Sequence, residues 1–365
     1  MRQNLFHSLR ARCLGFAPNL VAPILVALMV VVTLVSCTKK EAGTPGSSSE
    51  KLAGPGITIG LVLDKGGKDD KSFNSAAVAG AERAAKEFGV VIKDVESPDD
   101  AAFEPAMRTF AERGMPLVIG IGFAQTDPMK KVAAQFPKTH FAVIDGVVEG
   151  PNVTSFMFEE HEGSYLVGYL AGLVTKTGKV GFVGGMEIAM IRRFLMAYEA
   201  GVIAANPKAK VFSNFVGITA SAWANPSKGK ELALSQIGQG ADIIFHAAGA
   251  SGMGVFDAVE EKKVFAIGVD SNQNGIKPGR VLTSMLKRVD NAVYEVIRSE
   301  VEGRFKPGPN SFGLKDKGVD MAVDANNEAL VAPHMKKLDE VREQIISGKI
   351  VVPDFYKTQP TSGTK

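Results

Sequence analysis

The chain has 365 residues, of which 45% are hydrophobic, so it is long enough to build two domain-sized cores or one large core. Its formal net charge is only +3 and it contains no long basic block, which argues against nucleic acid as its main partner. The chain has two cysteines, Cys13 and Cys37, so the part beyond residue 37 can form neither a disulfide nor a thiol site.

Residues 1–37 are typical of a bacterial lipoprotein signal peptide. Arginines near the start precede an apolar run from about residue 20 to residue 35, which is interrupted by Pro23 and is shorter than the roughly 20 residues of a spanning helix. The run ends in Leu34-Val35-Ser36-Cys37, which resembles a lipobox, in which the cysteine becomes the lipidated first residue. An uncleaved signal anchor is the alternative. Residues 38–56 are rich in Ser, Gly, Pro and charge, and we expect a flexible tether there.

From residue 57 onward, apolar segments with strand character alternate with segments of helical spacing. The first half predicts strands at 57–63, 90–95, 116–122, 140–145 and 153–158, with helices at 73–88, 102–113 and 126–136. The second half predicts strands at 179–184, 210–216, 242–247 and 264–269, with helices at 189–205, 227–237 and 252–261. Two more strand–helix units follow, at 281–286 with 289–302 and at 318–323 with 333–347. This alternation indicates parallel sheets with helices on both faces.

These strands are too many for one compact sheet, and the alternation begins again after residue 160. We therefore predict two successive α/β lobes of similar length. The strand at 281–286 and the helix at 289–302 follow a complete second lobe and could return to the first. Two lobes joined by more than one crossing would form a hinge with a cleft between them.

The loop after the first strand offers the first candidate ligand groups. Asp64 ends this strand, two glycines permit a turn, and Phe73 and Asn74 open the next helix. Ligands of an open parallel sheet bind at the carboxyl ends of its strands, and a carboxylate, an amide and a ring suit a small, flat molecule with several hydroxyls. The alternative is structural, because Asp64 could be a turn carboxylate and Asp70 or Ser72 could cap the helix.

Short segments, in order along the chain, carry a resemblance to the basic membrane protein family. They are DDKSFN at 69–74, GSYLVG at 163–168, KVGFVGG at 179–185, DIIF at 242–245, AAG at 247–249, IGVD at 267–270 and TSMLKR at 283–288. That family contains purine nucleoside receptor-like lipoproteins, the substrate-binding components of ABC importers. The resemblance extends from about residue 57 to residue 352. It implies an α/β, type I periplasmic-binding-protein fold, with two doubly wound parallel-sheet lobes joined by three crossing segments and a ligand clamped between them.

The resemblance and the restart of the pattern together predict how the chain is divided. The signal peptide at 1–37 and the tether at 38–56 precede the lobes. Lobe 1 is expected at 57–157 plus 284–308 and lobe 2 at 158–283 plus 309–353, with a C-terminal tail at 354–365.

A nucleoside has a flat base, and aromatic rings are expected to stack on it. Phe73 is the first candidate, with a hydrophobic staple at the helix start as its alternative role. Trp223, the only tryptophan, is the second, although it could instead fill a gap between loops. Similar family members carry an aromatic residue two positions before an acidic residue and a proline. Here Asn225 replaces the acid, so this side of the site departs from the family pattern.

The ribose hydroxyls and the base edge need polar partners, because a buried partner left unpaired rejects an analogue that lacks the group. Asp270, at a strand end, is the candidate acceptor for the hydroxyls, and Lys287 is the candidate donor that the resemblance favours. Asp145 could bind a base edge, and Gly122-Phe123 and Gly249 would bring backbone or ring close to the ligand. As alternatives, Asp270 could cap a helix or turn, and Lys287 could be an ordinary solvated lysine.

Signals for an enzyme are weak in this sequence. None of the five histidines has metal-ligand spacing to another, and the chain has neither a G-x-S-x-G elbow nor a GxxxxGK[ST] loop. No pairing of a base with a nucleophile was found either. We therefore expect no catalytic residue, no metal and no cofactor.

Together these expectations describe a monomeric, lipid-anchored substrate-binding protein of the cell envelope. It would capture a nucleoside, above all a purine nucleoside, and deliver it to an ABC permease in the inner membrane. A sugar or autoinducer receptor of the same fold is the alternative, because this fold does not fix the ligand. A nucleoside hydrolase and an adhesin-like surface lipoprotein are alternatives of other classes.

Overall fold

The computed structural model describes residues 56–358, so the predicted signal peptide with Cys37 and nearly all of the predicted tether lie outside the described residues. The strands in this part of the chain form two six-stranded sheets. Sheet 1 contains β1 (Thr58–Leu63), β2 (Val91–Glu96), β3 (Leu117–Ile121), β4 (His140–Ile144), β5 (Val153–Phe158) and, from much later in the chain, β11 (Gly308–Phe312). Sheet 2 contains β6 (Lys179–Met186), β7 (Lys210–Gly217), β8 (Ile243–Ala247), β9 (Phe265–Asp270), β10 (Val281–Lys287) and β12 (Val319–Met321).

Both sheets have the same doubly wound order. Sheet 1 runs β2-β1-β3-β4-β5-β11 and sheet 2 runs β7-β6-β8-β9-β10-β12. All the pairings within residues 56–358 are parallel except that of β10 with β12, which is antiparallel. The predicted α/β class with two parallel-sheet lobes is confirmed, and we call the lobes lobe 1 and lobe 2 after their sheets.

Helices cover both faces of each sheet. They are α1 (Phe73–Phe88), α2 (Phe103–Glu112), α3 (Thr126–Gln135), α4 (Glu160–Val174), α5 (Ala189–Ala205), α6 (Pro226–Gly238), α7 (Gly252–Lys262), α8 (Val289–Val301), α9 (Glu328–Val331), α10 (Met335–Ile346) and α11 (Phe355–Thr358). In β1, Leu61 and Leu63 pack toward the α1 side and Val62 toward α2 and α3, and all of them are buried. Burial of a strand on both faces explains its unbroken apolar sequence. Within residues 56–358, we found no helix with the length and apolar character that crossing a bilayer requires.

The strand bounds correct two of the predicted lobe boundaries. The boundaries at 283/284 and 308/309 fall inside β10 and β11. β10 pairs with β9 as far as Leu286, and β11 pairs with β5 along its whole length. Since each strand keeps its ladder within one sheet, 284–287 belong to lobe 2 and 309–312 to lobe 1. The chain thus crosses between the lobes after β5, after β10 and after β11. Helix α8 packs against α1, so the chain does return to lobe 1.

Besides the one-turn helices α9 and α11, two elements were not predicted from the sequence. Helix α4 is buried on nearly every side, and its Gly168 lies so close to α5 that an added Cβ would be 2.3 Å from the Tyr198 carbonyl oxygen. A helix that is apolar all round lacks the one-sided pattern by which helices are recognised. The other missed element, β11, is a largely exposed strand at the sheet edge that contains Pro309. Edge strands tolerate such residues but resemble loops in sequence.

Candidate functional site

A cavity lies between the carboxyl ends of the two sheets. Lobe 1 lines it with Asp64, Lys65, Asp70, Phe73, Gly122, Phe123 and Asp145. Lobe 2 lines it with Met190, Ile191, Phe194, Trp223, Ala247, Ala248, Gly249, Val269, Asp270 and Lys287. Each doubly wound sheet presents its strand-end loops here, so closing the lobes brings two sets of loops face to face.

All the predicted ligand residues except Asn74 line this cavity. The Asn74 side chain is buried and bonded to the loop that precedes it. Its Oδ1 accepts the Asp64 backbone N–H at 2.9 Å, and its Nδ2 donates to the carbonyls of Asp64 and Lys65 at 3.2 Å. Asn74 is therefore corrected from a ligand group to a residue that shapes the loop, because its amide already has partners on both sides.

Asp70 caps α1, as the structural alternative expected. Its carboxylate accepts the backbone N–H groups of Ser72, Asn74 and Ser75 at 2.8 to 3.0 Å. These are donors that the first turn of a helix would otherwise leave unpaired. The cap fixes the start of α1 and so sets the position of Phe73 at the cavity wall.

The two lobes place matching backbone positions at the cavity. Gly122 follows β3 with φ +112°, and Gly249 follows the corresponding strand β8 with φ +55°. Asp145 follows β4 with φ +67°, and Asp270 ends the corresponding strand β9 with φ +62°. A side-chain-bearing residue at positive φ is uncommon, and such strain concentrates at functional sites. Both aspartates were predicted site residues, and the strained turns aim them at the same space.

Lys287 is the buried cation of the site. Its Nζ lies 2.5 Å from Asp145 Oδ2 and 3.0 Å from Glu160 Oε1. The rings of Phe73 and Phe158 surround the same ammonium, each centroid 5.3 Å from it. Burial alone would lower the pKa of Lys287, but the charges of Asp145 and Glu160 outweigh it and raise that pKa. The lysine is therefore charged and held in place by partners in both lobes.

Glu160 connects the cavity to a second ionic cluster at the hinge. Its other oxygen lies 2.7 Å from an Arg193 nitrogen, and Arg193 also donates to Asp354 at 2.8 Å and to Glu159. Within residues 56–358, Glu159, His161 and Asp354 form the one group whose donor atoms could hold a metal, all within 4.8 Å. The Arg193 guanidinium already supplies positive charge to both carboxylates, so the cluster does not fit a metal ion.

The cavity carboxyl groups are shifted toward neutral pH. Burial raises the pKa of Asp64 to about 7, although a hydrogen bond from the Lys65 N–H lowers it. Burial also raises the pKa of Asp270 to about 6, and the Lys287 charge opposes that rise. The pKa of Asp145 is likewise raised by burial against the pull of Lys287. Asp64 and Asp270 can therefore accept hydrogen bonds as carboxylates or donate them as acids close to neutral pH.

Rings from both lobes form apolar walls. Phe73 and Phe123 come from lobe 1, while Phe194 and Trp223 come from lobe 2. Gly185 makes room for the indole, because a Cβ at this position would lie 2.2 Å from the Trp223 ring. The walls give a flat molecule aromatic contacts from opposite lobes.

Sequence reasoning missed Glu160 and the α5 residues Met190, Ile191 and Phe194. The α5 residues belong to a helix whose apolar side chains resemble ordinary core positions. Their position could have identified them, because they lie in the first turns of a helix that follows a strand-end loop. These turns face the cavity edge of the sheet. Glu160 is a glutamate in a helix first turn, a common arrangement that favours the helix dipole and carries no sign of burial.

Comparison with known proteins was consistent with these features. A family model described as "ABC transporter substrate-binding protein PnrA-like" (Bmp) matches residues 57–355. A CD4+ T-cell-stimulating antigen of Listeria innocua is 34% identical over 342 residues, covering 87% of this chain and 92% of that protein. The ABC transporter nucleoside-binding protein BmpA of Lactococcus lactis is 32% identical over 353 residues, covering 90% and 97%.

A solved structure gives the same picture of the fold. The crystal structure of an ABC transporter solute-binding protein from Aeropyrum pernix matches with a TM-score of 0.74 at 30% identity, covering 81% of this chain and 94% of that one. The predicted type I periplasmic-binding-protein fold is confirmed.

Proposed function

The chain belongs to the Bmp family of PnrA-like ABC transporter substrate-binding proteins, and from this membership we propose that it captures purine nucleosides between its two lobes. The observation that carries the proposal is the cavity itself. It has rings from both lobes, carboxyl groups at matching strand ends and one buried ammonium.

Each predicted residue that lines the cavity has a role in this proposal. Phe73 and Trp223 stack on the base from opposite lobes. Asp145 binds a base edge, while Asp270 and Lys287 hold the ribose hydroxyls. Asp64 adds a further polar contact, and Gly122-Phe123 and Gly249 let the chain approach the ligand closely. Closure follows because a ligand that contacts both lobes stabilises the closed form more than the open one.

The charges of the cavity favour a neutral ligand over a phosphorylated one. Asp64, Asp145 and Asp270 line the wall together with the ammonium of Lys287. That ammonium is already paired with Asp145 and Glu160. Apart from Lys65, whose ammonium donates to the Pro98 carbonyl, a phosphate group would meet carboxylates and no other lining cation to offset them. A ligand rich in hydroxyls instead finds acceptors, and an analogue without those hydroxyls leaves them unpaired.

Delivery to a permease completes the proposal. Cys37 would carry the lipid that anchors the chain, residues 38–56 would act as the tether, and the anchored receptor would serve an ABC permease in the inner membrane. A radiolabelled fatty acid fed to the cells should be incorporated into the parent chain and not into the Cys37→Ser variant. Equal labelling of the Cys37→Ser variant would contradict the lipid anchor.

Calorimetric titration of the full chain in detergent tests the ligand. We expect saturable, one-to-one binding of guanosine, adenosine or inosine without turnover, and affinity for guanosine monophosphate lower by at least tenfold, about 1.4 kcal/mol. Binding of ribose or another sugar alone would favour a sugar receptor. Release of free base would favour a nucleoside hydrolase, and either result would overturn the proposal.

A further inference from the structure

Hydrogen bonds join the two lobes directly beside the cavity. Ser271 Oγ of lobe 2 donates to the Ser72 carbonyl of lobe 1 at 2.9 Å. Gln273 Nε2 of lobe 2 donates to the Lys71 carbonyl at 2.8 Å. Ser72 Oγ in turn donates to Asp270 Oδ2 at 2.5 Å. Two consecutive residues of lobe 1, Lys71 and Ser72, are therefore hydrogen-bonded to the loop that follows β9.

None of Lys71, Ser72, Ser271 and Gln273 lines the cavity, although their chain neighbours Phe73 and Asp270 do. In each of the two loops, a residue that lines the cavity is thus next to residues that contact the other lobe. The contacts between the lobes can form whether or not the cavity is filled.

Gln273 is held so that only its NH2 group reaches across. Its Oε1 accepts the Val269 backbone N–H at 2.8 Å and lies 3.1 Å from His246 Nε2. Because Oε1 acts as an acceptor, His246 Nε2 carries the hydrogen, and burial lowers the pKa of His246 to about 4, which keeps its ring neutral. Two contacts within lobe 2 therefore orient the amide, and its nitrogen is left for the Lys71 carbonyl.

The lobe 1 side of these contacts also has an unusual backbone conformation. Lys71 has φ +57°, a left-handed conformation that lysine rarely adopts. Its side chain is exposed, 3.9 Å from Asp69, so no buried contact of the side chain accounts for the strain. The left-handed turn places the carbonyls of Lys71 and Ser72 where Gln273 and Ser271 reach them.

We propose that Lys71, Ser72, Ser271 and Gln273 form a latch that holds the lobes closed independently of the ligand and so sets how much of the receptor is closed before ligand binds. The inference rests on the proposed capture of a ligand by lobe closure. The apparent affinity of a receptor equals its closed-state affinity multiplied by the closed fraction. Weakening the latch therefore lowers the affinity for every ligand by the same factor, whereas removing a ligand contact changes the ranking of ligands.

Two variants remove the donors of the latch. Gln273→Glu keeps the side-chain shape and the oxygen that faces Val269 and His246, but it replaces the donor that crosses to Lys71. Ser271→Ala removes the donor to the Ser72 carbonyl. A matched control exists, because the same carbonyl also accepts Ser75 Oγ at 3.1 Å from within lobe 1. Ser75→Ala thus removes a hydroxyl from the same acceptor without touching the contact between lobes.

The experiment measures closure and affinity separately. The full chain, with Cys13 and Cys37 changed to serine, receives spin labels at the exposed sites of Lys138→Cys in lobe 1 and Lys208→Cys in lobe 2. The distance between the labels is measured without ligand by pulsed electron paramagnetic resonance. Calorimetry then gives the affinity for guanosine, adenosine and inosine.

We expect Ser271→Ala and Gln273→Glu to shift the ligand-free distances toward the open form and to weaken all three nucleosides by one common factor, about threefold to tenfold for a lost hydrogen bond. Ser75→Ala should match the parent chain in both measurements. Unchanged ligand-free distances, or losses that differ among the nucleosides, would overturn the latch even if the parent chain binds nucleosides. If no nucleoside binds the parent chain but the latch variants still open it, the latch stands and the proposed function fails.

Discussion

The two lobes place equivalent aspartates at the cavity but hold them with different partners. Asp145 of lobe 1 and Asp270 of lobe 2 follow corresponding strands in the same left-handed conformation. Each is bound by a group from the opposite lobe. Asp145 pairs with the Lys287 ammonium, and Asp270 accepts the hydroxyl of Ser72. The resemblance in backbone therefore comes with a contrast in chemistry.

From this contrast we infer that the Asp145–Lys287 pair stabilises the fold, whereas the Asp270–Ser72 contact serves closure of the lobes. A buried ammonium cannot leave its carboxylates without a large cost, so the Lys287 side is expected to persist through opening. A hydroxyl that loses its partner on opening can be rehydrated at small cost, so the Ser72 side is suited to making and breaking contacts. The following tests address that division, from the largest expected effect to the smallest.

Lys287→Met should cause the largest loss of stability. It leaves Asp145 buried without its cation and Glu160 with Arg193 alone, and we expect the free energy of unfolding to fall by about 3–5 kcal/mol in urea denaturation. Lys277, a half-buried surface lysine beside Asp257 and Glu260, provides the control. A Lys287→Met variant as stable as Lys277→Met would mean that the buried pair contributes nothing.

The next largest effect is expected for alanine at the two corresponding glycines, which should destabilise the protein to different extents in the two lobes. Gly122→Ala places a Cβ 2.2 Å from Asp64 Oδ2 at φ +112°, whereas Gly249→Ala meets its nearest atom at 3.3 Å with φ +55°. We expect a loss of stability of about 3 kcal/mol for Gly122→Ala and about 1 kcal/mol for Gly249→Ala, measured by urea denaturation. Equal losses would show that the two turns are equally permissive.

Phe73→Ala and Asp270→Ala test the ligand contacts of the two lobes. Each should weaken nucleoside binding at least tenfold in calorimetry, about 1.4 kcal/mol, because a stacking face or a hydroxyl partner is lost. Phe88→Ala is the control for the first variant, since Phe88 lies at the far end of α1 and packs against Tyr294. Unchanged affinity in both site variants would mean that the ligand binds elsewhere.

Asp64→Asn should change how stability depends on pH, with an effect that is small over any one pH unit. The pKa of Asp64 is raised from 3.8 to about 7 in the folded chain. Between these values the native state binds a proton that the unfolded state has lost, so the free energy of unfolding falls as pH rises through this window. Removing the carboxyl should make that slope shallower by at most about 1.4 kcal/mol per pH unit.

The control for this pH test is Asp324→Asn. Hydrogen bonds, first among them that from Asn272, lower the pKa of Asp324, so its contribution lies at lower pH with the opposite sign. Urea denaturation at a series of pH values measures both variants. An unchanged slope in Asp64→Asn between pH 4 and pH 7 would contradict the burial of this carboxyl group.

The sequence was informative wherever a local pattern determined the structure. α1, α5 and β5 begin and end at the predicted residues, because strong apolar periodicity marks them. Asp145 and Asp270 could be predicted as site residues because a polar residue after a buried strand lies at the ligand edge of a parallel sheet. Local patterns thus predicted the α/β class and the two lobes, whereas the three crossing segments and the site role of Lys287 came from the family resemblance.

Features that depend on distant partners could not be predicted in this way. Ser72 and Asp270 are 198 residues apart, and only the closed arrangement of the lobes brings them together. Glu160 looks like a first-turn glutamate until the structure buries it between Lys287 and Arg193. Asn74 was assigned to the ligand because its position was right, but its amide is used by the backbone of the preceding loop.

The most direct test of nucleoside capture between the lobes is the fluorescence of Trp223, the only tryptophan of the chain and a cavity wall of lobe 2. The full chain is titrated with guanosine, and with ribose as the comparison. We predict a saturable change in emission that fits one site for guanosine, no change with ribose, and a curve shifted to higher guanosine concentration in Phe73→Ala, whose change lies in the opposite lobe. Emission that stays constant with guanosine while calorimetry detects binding would place the ligand outside this cavity and contradict the account.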